Sequence, residues 1–510
     1  MHKEIEQIVE RIEQASVYDV AIKTPLEIAP KLSRRLDNTI HLKREDTQQV
    51  FSFKLRGAYN KIRQLTDKER KQGVITASAG NHAQGVALAA HKLQIPASIV
   101  MPKTTPDIKV KSVRGFGARV ILHGNTYDDA YAKAQELAIQ DQQIFVHPYD
   151  DYDVIAGQGT IAKELLDQCD DIDFIFIPVG GGGLLAGVAA YLKAKNPAIK
   201  VIAVEPEDAA CFDAAIKTGE RIVLEQVGIF ADGVAVAQIG EKTFNIARHC
   251  VDGVVTVNTD EICAAIKDIF DDTRAIAEPA GALAVAGIKK YRDEHKLKSQ
   301  NIIAMVSGAN INFDRLRHVA ERAEIGEQGE AILAVTIPEI PGSFRSFCKM
   351  IGHHGITEFN YRLADPEQAH IFVGVKLENG EQDKEKLISL LRANQYPVVD
   401  MSDNEMAKIH IRYMVGGRSQ SQQQDLAKEY LYRFQFPERP GALLRFLDHM
   451  GEDWNISLFH YRNHGAAYGR ILVGIQVPEG QQEQFNDFLQ TIQYPYWNET
   501  ENPAFSLFLS

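Results

Sequence analysis

The chain has 510 residues, which at roughly 150 residues per domain leaves room for about three domains. Apolar residues make up 45% of it and charged residues 24%, enough for packed cores and against wholesale disorder. Lys plus Arg number 56 and Asp plus Glu 68, a net charge of −12 that argues against nucleic acid as a partner, since binding it needs clustered positive charge.

At the N-terminus, Ile5, Ile8, Val9 and Ile12 fall at helical spacing. Glu4, Glu6, Glu10 and Glu13 interrupt the stretch, so it reads neither as a signal-peptide core nor as an acidic-poor transit peptide. The longest low-polarity stretch, Gly180 to Leu192, is shorter than the about 20 residues a membrane span takes. The five cysteines, Cys169, Cys211, Cys250, Cys263 and Cys348, are far apart, odd in number and form no CxxC pair, which predicts reduced thiols. A cytoplasmic protein with no membrane partner is expected.

From about residue 20 to 320, brief β-branched runs alternate with helical patterns. The runs are Val74 to Ala77, Ala97 to Met101, Val120 to Leu122, Ile144 to Val146, Phe174 to Val179, Val201 to Val204 and Ile302 to Val306. Between them, His82 to Leu93, Asp128 to Ala138 and Thr160 to Leu166 carry helical periodicity. Such alternation predicts an α/β fold, a mainly parallel sheet covered on both faces, with ligands at the carboxyl ends of the strands.

Four segments in this region carry chemistry. In Ser52-Phe53-Lys54-Leu55-Arg56-Gly57, Lys54 lies between apolar neighbours ahead of a helical stretch. A lysine packed among apolar groups loses basicity and suits imine chemistry with an aldehyde, although a solvated surface lysine would read the same locally. Ser78-Ala79-Gly80-Asn81-His82 follows a predicted strand; its small residues bring backbone donors onto a carboxylate, or Ser78 or Asn81 serves as an ordinary helix cap. His82 is a weaker candidate for a general base. Gly180-Gly181-Gly182-Gly183 joins an apolar strand to the helix opening at Leu184; four residues without Cβ at a helix start suit a phosphate, or make a plain tight turn. The run lacks the Lys-Ser/Thr of a P-loop. Ser307, after Ile302 to Val306, is placed to hydrogen-bond a ring nitrogen or to make a turn.

The texture changes near Glu321, where a charged, Gly-containing stretch to Glu330 reads as a linker. An internal repeat follows. Pro338 to Gly342 recurs as Pro437 to Gly441, Phe347 and Gly352 as Phe446 and Gly451, Phe359, Tyr361 and Arg362 as Phe459, Tyr461 and Arg462, and Ile371 to Val375 as Ile471 to Ile475. Two tandem copies of a small α+β module are predicted, joined by the polar run Gly417 to Gln424. The expected domains are therefore residues 1–320, 331–404 and 428–500.

Together and in this order, SFKLRGA, SAGNHAQG, PVGGGGL and VSGAN resemble the fold-type II pyridoxal-phosphate enzymes, and among them the biosynthetic threonine dehydratases. The resemblance extends over nearly the whole chain, and the tail resembles the ACT-like regulatory modules of that family. It implies a catalytic α/β domain of parallel sheets with flanking helices, then two tandem ACT-like modules. It implies pyridoxal 5′-phosphate as cofactor, with Lys54 as the Schiff-base lysine, Phe53 flanking the cofactor and Asn81 at its ring oxygen. By the same resemblance Gly180, Gly181, Gly182, Gly183 and Leu184 cradle the phosphate and Ser307 faces the pyridine nitrogen. Ser78, Gly80 and Asn81 would hold the substrate carboxylate. The implied reaction is dehydration and deamination of L-threonine, with L-serine as a secondary substrate, to 2-oxobutanoate and ammonia, the committed step toward isoleucine. Isoleucine would inhibit through the tail, valine would oppose it, and the assembly would be a homotetramer.

Two departures from related serine racemases bear on this. Ala79 stands where they carry a second Ser that acts as an acid, which argues against racemisation. Glu205 matches the first residue of their cation-binding loop, but Cys211 falls where a later carboxylate would sit, so no metal is assigned. The competing readings are a β-replacement synthase of the same fold, which the tandem tail disfavours, and a silent amino-acid sensor. Lys54, the glycine run and Ser307, all intact, argue against the sensor.

Overall fold

The apolar runs of the first three hundred residues become strands of two separate sheets in the computed structural model. It describes residues 3–326, 329–338, 347, 350–351, 356–362, 368–411, 428–437, 454–462, 468–492 and 494–508. The chain divides into two units, Met1–Ala323 and Glu324–Ser510.

In the first unit the strands are β1 (Leu26–Ile28), β2 (Thr39–Arg44), β3 (Val74–Ala77), β4 (Ala97–Met101), β5 (Arg119–Leu122), β6 (Ile144–Phe145), β7 (Phe174–Pro178), β8 (Lys200–Pro206), β9 (Gly253–Val257) and β10 (Asn301–Val306). Six form one sheet in the order β1-β2-β10-β7-β8-β9, and four form another in the order β5-β4-β3-β6. Every neighbouring pair is parallel except β1 with β2. The inner strands are mostly apolar because helices cover both faces: all of β3 is buried, as are the residues of β7 and β8 after the first. Helices Tyr152–Gln168 and Gly183–Lys195 pack on each other through Gly159 and Gly187. A Cβ on Gly187 would stand 2.4 Å from the Ile155 carbonyl, so the close approach requires glycine.

Three strand ends converge on one place. β3 runs into Ser78–Gly80 and the helix Asn81–Leu93, β7 into the glycine run and the helix Gly183–Lys195, and β10 into Ser307. β7 and β10 are direct neighbours in the large sheet.

The second unit holds two copies of one module. β11 (Glu330–Pro338), β12 (Ile356–Arg362), β13 (Gln368–Lys376) and β14 (Val398–Asp400) form a sheet in the order β12-β13-β11-β14. β15 (Lys428–Pro437), β16 (Asn455–Arg462), β17 (Tyr468–Val477) and β18 (Tyr496–Asn498) repeat it as β16-β17-β15-β18. All pairs are antiparallel, and both copies carry a register shift at the same place, between Ile356 and Glu358 and between Ile456 and Leu458. Each copy also has a helix, Glu381–Ala393 or Gln482–Thr491, and a short fourth strand that the repeat alone did not reveal. The two share a core in which Phe372, Met401 and Met406 of the first meet Leu431, Leu472 and Phe505 of the second. The Pro341-Gly342 and Pro440-Gly441 turns and the joint Gly417 to Gln424 lie outside the described residues.

Candidate active site

Phe53, Lys54, Asn81, Gly180 to Leu184 and Ser307 line one cavity, partly open to solvent. Ser78 and Gly80 do not line it; they stand on the loop just ahead of Asn81.

Lys54 opens the helix Lys54–Arg63. Its Nζ donates to the Pro148 carbonyl at 3.0 Å and lies 5.3 Å from the centroid of the Phe53 ring. Burial lowers its pKa from 10.5 to about 8, while the charge of Glu278 pulls the other way. A substantial share of the amine is therefore neutral near physiological pH, as a nucleophile must be. The Phe53 N–H donates to the Ser307 carbonyl at 3.3 Å, and Ser52 pairs with Gly308, so the lysine segment is stitched to the end of β10.

The glycine run is packed from both sides. A Cβ on Gly181 would stand 2.2 Å from the Tyr149 ring, and one on Gly180 2.8 Å from Cα of Val234. Gly182 adopts φ +88° and caps the helix Gly183–Lys195 with no side-chain oxygen of its own. The first-turn N–H groups of that helix thus meet the cavity with its positive dipole end. One carboxylate braces this loop. Asp150 Oδ1 accepts from the N–H groups of Lys242 (2.8 Å) and Thr243 (3.2 Å), and Thr243 Oγ1 donates to the Gly181 carbonyl at 2.7 Å. His147 Nδ1 accepts from the N–H groups of Tyr149 (3.3 Å) and Asp150 (2.8 Å), and burial lowers its pKa to about 4, so the ring stays neutral.

Asn81 opens the helix Asn81–Leu93. The cap of that helix is Gly80, without a side-chain bond, in place of the Ser78 or Asn81 cap that sequence suggested; Ser78 Oγ accepts from Gly80 N–H at 3.2 Å. His82 is withdrawn as a base. Its Nε2 donates to the Val146 carbonyl at 3.0 Å, burial lowers its pKa to about 3, and it does not line the cavity. Ser307 Oγ, buried, donates to the Ala280 carbonyl at 3.3 Å, a long bond that a hydroxyl can exchange by rotation for an acceptor in the cavity. Glu205 is occupied by the backbone: it accepts from Phe212 N–H (2.9 Å) and Asp213 N–H (2.8 Å), at the head of the helix Cys211–Thr218.

Sequence reasoning gave no site role to six lining residues, Tyr149, Pro178, Gly233, Val234, Glu278 and Ala280. Tyr149 follows β6 as the other loops follow their strands, and Glu278-Pro279 precedes an apolar helix, so position alone could have flagged both. Nothing local marks Gly233 and Val234.

Residues 17–308 match the family model of pyridoxal-phosphate dependent enzymes, and residues 321–411 and 419–509 each match that of the C-terminal regulatory domain of threonine dehydratase. The biosynthetic L-threonine dehydratase of Pasteurella multocida is 54% identical over 97% of this chain and 96% of its own length. That of Escherichia coli is likewise 54% identical, over 98% and 96%. Among solved structures, the processed form of threonine deaminase isoform 2 from Solanum lycopersicum superposes with a TM-score of 0.62 at 51% identity, covering 63% of this chain and 94% of its own. Maize serine racemase gives a TM-score of 0.58 at 32% identity, over 62% and 96%.

Proposed function

The chain belongs to the biosynthetic threonine dehydratases, a family of pyridoxal-phosphate-dependent enzymes, and from that premise we propose that it converts L-threonine to 2-oxobutanoate and ammonia under inhibition by isoleucine. The observation that carries the proposal is that Lys54, Asn81, the glycine loop and Ser307 line the same cavity. Its residues fit the cofactor: a loop that side chains would fill, at a helix N-terminus, suits a phosphate, and the desolvated amine of Lys54 suits an aldehyde. When bound, the cofactor supplies a sink for the electron pair left when the α-proton departs.

The chain's own groups do the rest. Gly180 to Leu184 would hold the phosphate, Phe53 would wall the cavity beside the ring, and Asn81 would donate to the ring oxygen. Ser307, a neutral hydroxyl, would face the ring nitrogen without the charge that keeps it protonated. Lys54 would hold the cofactor through its amine and would take the proton from Cα of the substrate. Ser78, Gly80 and Asn81, at the start of the helix Asn81–Leu93, bind the substrate carboxylate; the uncapped N–H groups there support that role. L-Serine, lacking only a methyl group, is a secondary substrate.

The two modules of the tail bind isoleucine as inhibitor and valine as its antagonist, and the protein works as a homotetramer in the cytoplasm. The matches of both modules to the regulatory domain support the first part; no described helix is long and apolar enough to cross a membrane. The test is 2-oxo acid formation from L-threonine by the purified, cofactor-loaded protein, with and without isoleucine. Rapid formation suppressed by isoleucine is the expected result, and no formation would overturn the proposal.

A further inference from the structure

Glu278 stands at the N-cap of the helix Pro279–His295, and its side chain makes no bond to the first-turn N–H groups. It is turned instead toward Asn81, whose Nδ2 donates to Glu278 Oε1 at 2.6 Å. The carboxylate is 4% exposed and also accepts from the Asn310 backbone N–H. One glycine leaves room for it: a Cβ on Gly308 would stand 2.4 Å from Glu278 Oε1.

The other end of Asn81 is held as firmly. Asn310 Nδ2 donates to the Val50 carbonyl at 2.8 Å, an acceptor whose identity is beyond doubt, and to Asn81 Oδ1 at 2.5 Å. That chain of partners fixes which end of each amide is nitrogen. Turning Asn81 over would set its amide group against that of Asn310 and its oxygen against the Glu278 carboxylate. With Oδ1 taken by Asn310 and one Nδ2–H by Glu278, one N–H of Asn81 remains for the cavity.

We propose that Glu278 is a positioning residue of this site: it holds the Asn81 amide so that the remaining Nδ2–H would meet the ring oxygen of the bound cofactor. This rests on the reading of the cavity as a pyridoxal-phosphate site. Burial of a carboxyl group there is costly, which raises its pKa to about 7, and the bonds from Asn81 and Asn310 work against that rise.

The test compares Glu278→Ala and Glu278→Gln, each alone and in an Asn81→Ala background, in the full chain. The readouts are the affinity for pyridoxal phosphate and the share of bound cofactor in its long-wavelength absorption band. Glu278→Ala should weaken affinity on the order of tenfold, the scale of one hydrogen bond to a charged group, and deplete the long-wavelength band. Glu278→Gln, whose Oε1 accepts the same bond, should stay within about twofold of the unsubstituted chain in affinity. In the Asn81→Ala background, removing Glu278 should have far less effect than it has alone. The proposal falls if Gln is as damaging as Ala, since charge would then matter and position would not. It also falls if the Glu278 and Asn81 effects simply add, or if Glu278→Ala leaves both readouts unchanged. Should Glu278→Ala not fold, Asn310→Ala frees the opposite end of Asn81 and should produce the same two changes; an unaltered band would overturn the proposal. An unsubstituted chain that takes up no pyridoxal phosphate would instead count against the proposed function.

Discussion

At the scale of single residues, Lys54 and Gly181 do opposite things with the same tight packing. Around Lys54 it removes water, which lowers the amine's pKa from 10.5 to about 8. Attack on an aldehyde needs the neutral amine, so uptake of pyridoxal phosphate by the cofactor-free protein should speed up as pH rises through about 8 and then level off. Following the rate of appearance of the bound cofactor's absorption against pH tests this; a midpoint near 10.5, that of an exposed lysine, would show that burial does not tune the group. Lys54→Ala should abolish turnover and leave the circular dichroism spectrum unchanged, and near-normal 2-oxo acid formation by that variant would remove Lys54 from the mechanism. Around Gly181 the packing excludes a side chain. A methyl group there meets the Tyr149 ring, which sits against the segment that anchors Lys54 through Pro148. Gly181→Ala should therefore weaken phosphate binding and cost about 1–3 kcal/mol of stability, the usual range for an overpacked core. Denaturant unfolding and phosphate competition measure the two effects separately.

At the scale of elements, what could be read from the sequence depended on how a strand or helix hides its surface. β3 and β4 run from Val74 to Ala77 and from Ala97 to Met101, matching the apolar runs, because strands buried on both faces have no polar positions to blur them. β2 escaped notice for the converse reason. Its sequence, Thr39–Arg44, ends in Lys43 and Arg44, two charges that look solvated and are buried. Lys43 is held by a partner far away in sequence, its Nζ 2.6 Å from Glu164 Oε2, and Arg44 by Asp46 and Glu27 nearby, while Arg56 binds Glu45 at 2.8 Å and Glu164 at 2.7 Å. The site divides in the same way. The glycine run and Lys54 stand out locally, whereas Gly233 and Val234 reach the cavity only through packing. Arg56 lies on the helix that Lys54 opens, so the four-charge cluster anchors that helix against the strand and the helix Tyr152–Gln168. Removing one member leaves the others buried without compensation. Arg56→Met should cost about 3–5 kcal/mol in urea unfolding of the full chain, and a loss below about 1 kcal/mol would mean that water enters and solvates Glu45 and Glu164.

At the scale of the whole molecule, the tandem repeat was the most legible feature, since matched residues in one order survive even where each copy's fourth strand, Val398–Asp400 or Tyr496–Asn498, is too short to recognise. The two copies are joined by a shared core through Met401, Met406, Leu431 and Phe505, so a ligand that alters the packing of one is felt by the other. Under the proposed function this makes isoleucine and valine competitors for states of one body, and it sets a quantitative demand. If isoleucine weakens the binding of substrate by some factor, substrate must weaken isoleucine by the same factor, because both are readings of one coupling free energy of about 1–3 kcal/mol. The reciprocity holds for binding and not for turnover, so it has to be measured with an unreactive threonine analogue. Titration of the cofactor-loaded protein with isoleucine, with and without saturating analogue, and the reverse titration should give equal ratios, on the order of 5- to 150-fold. Adding valine should shrink both ratios together. Inhibition of turnover with both ratios at unity would place the effect of isoleucine on the chemical step, leaving substrate binding uncoupled from the tail.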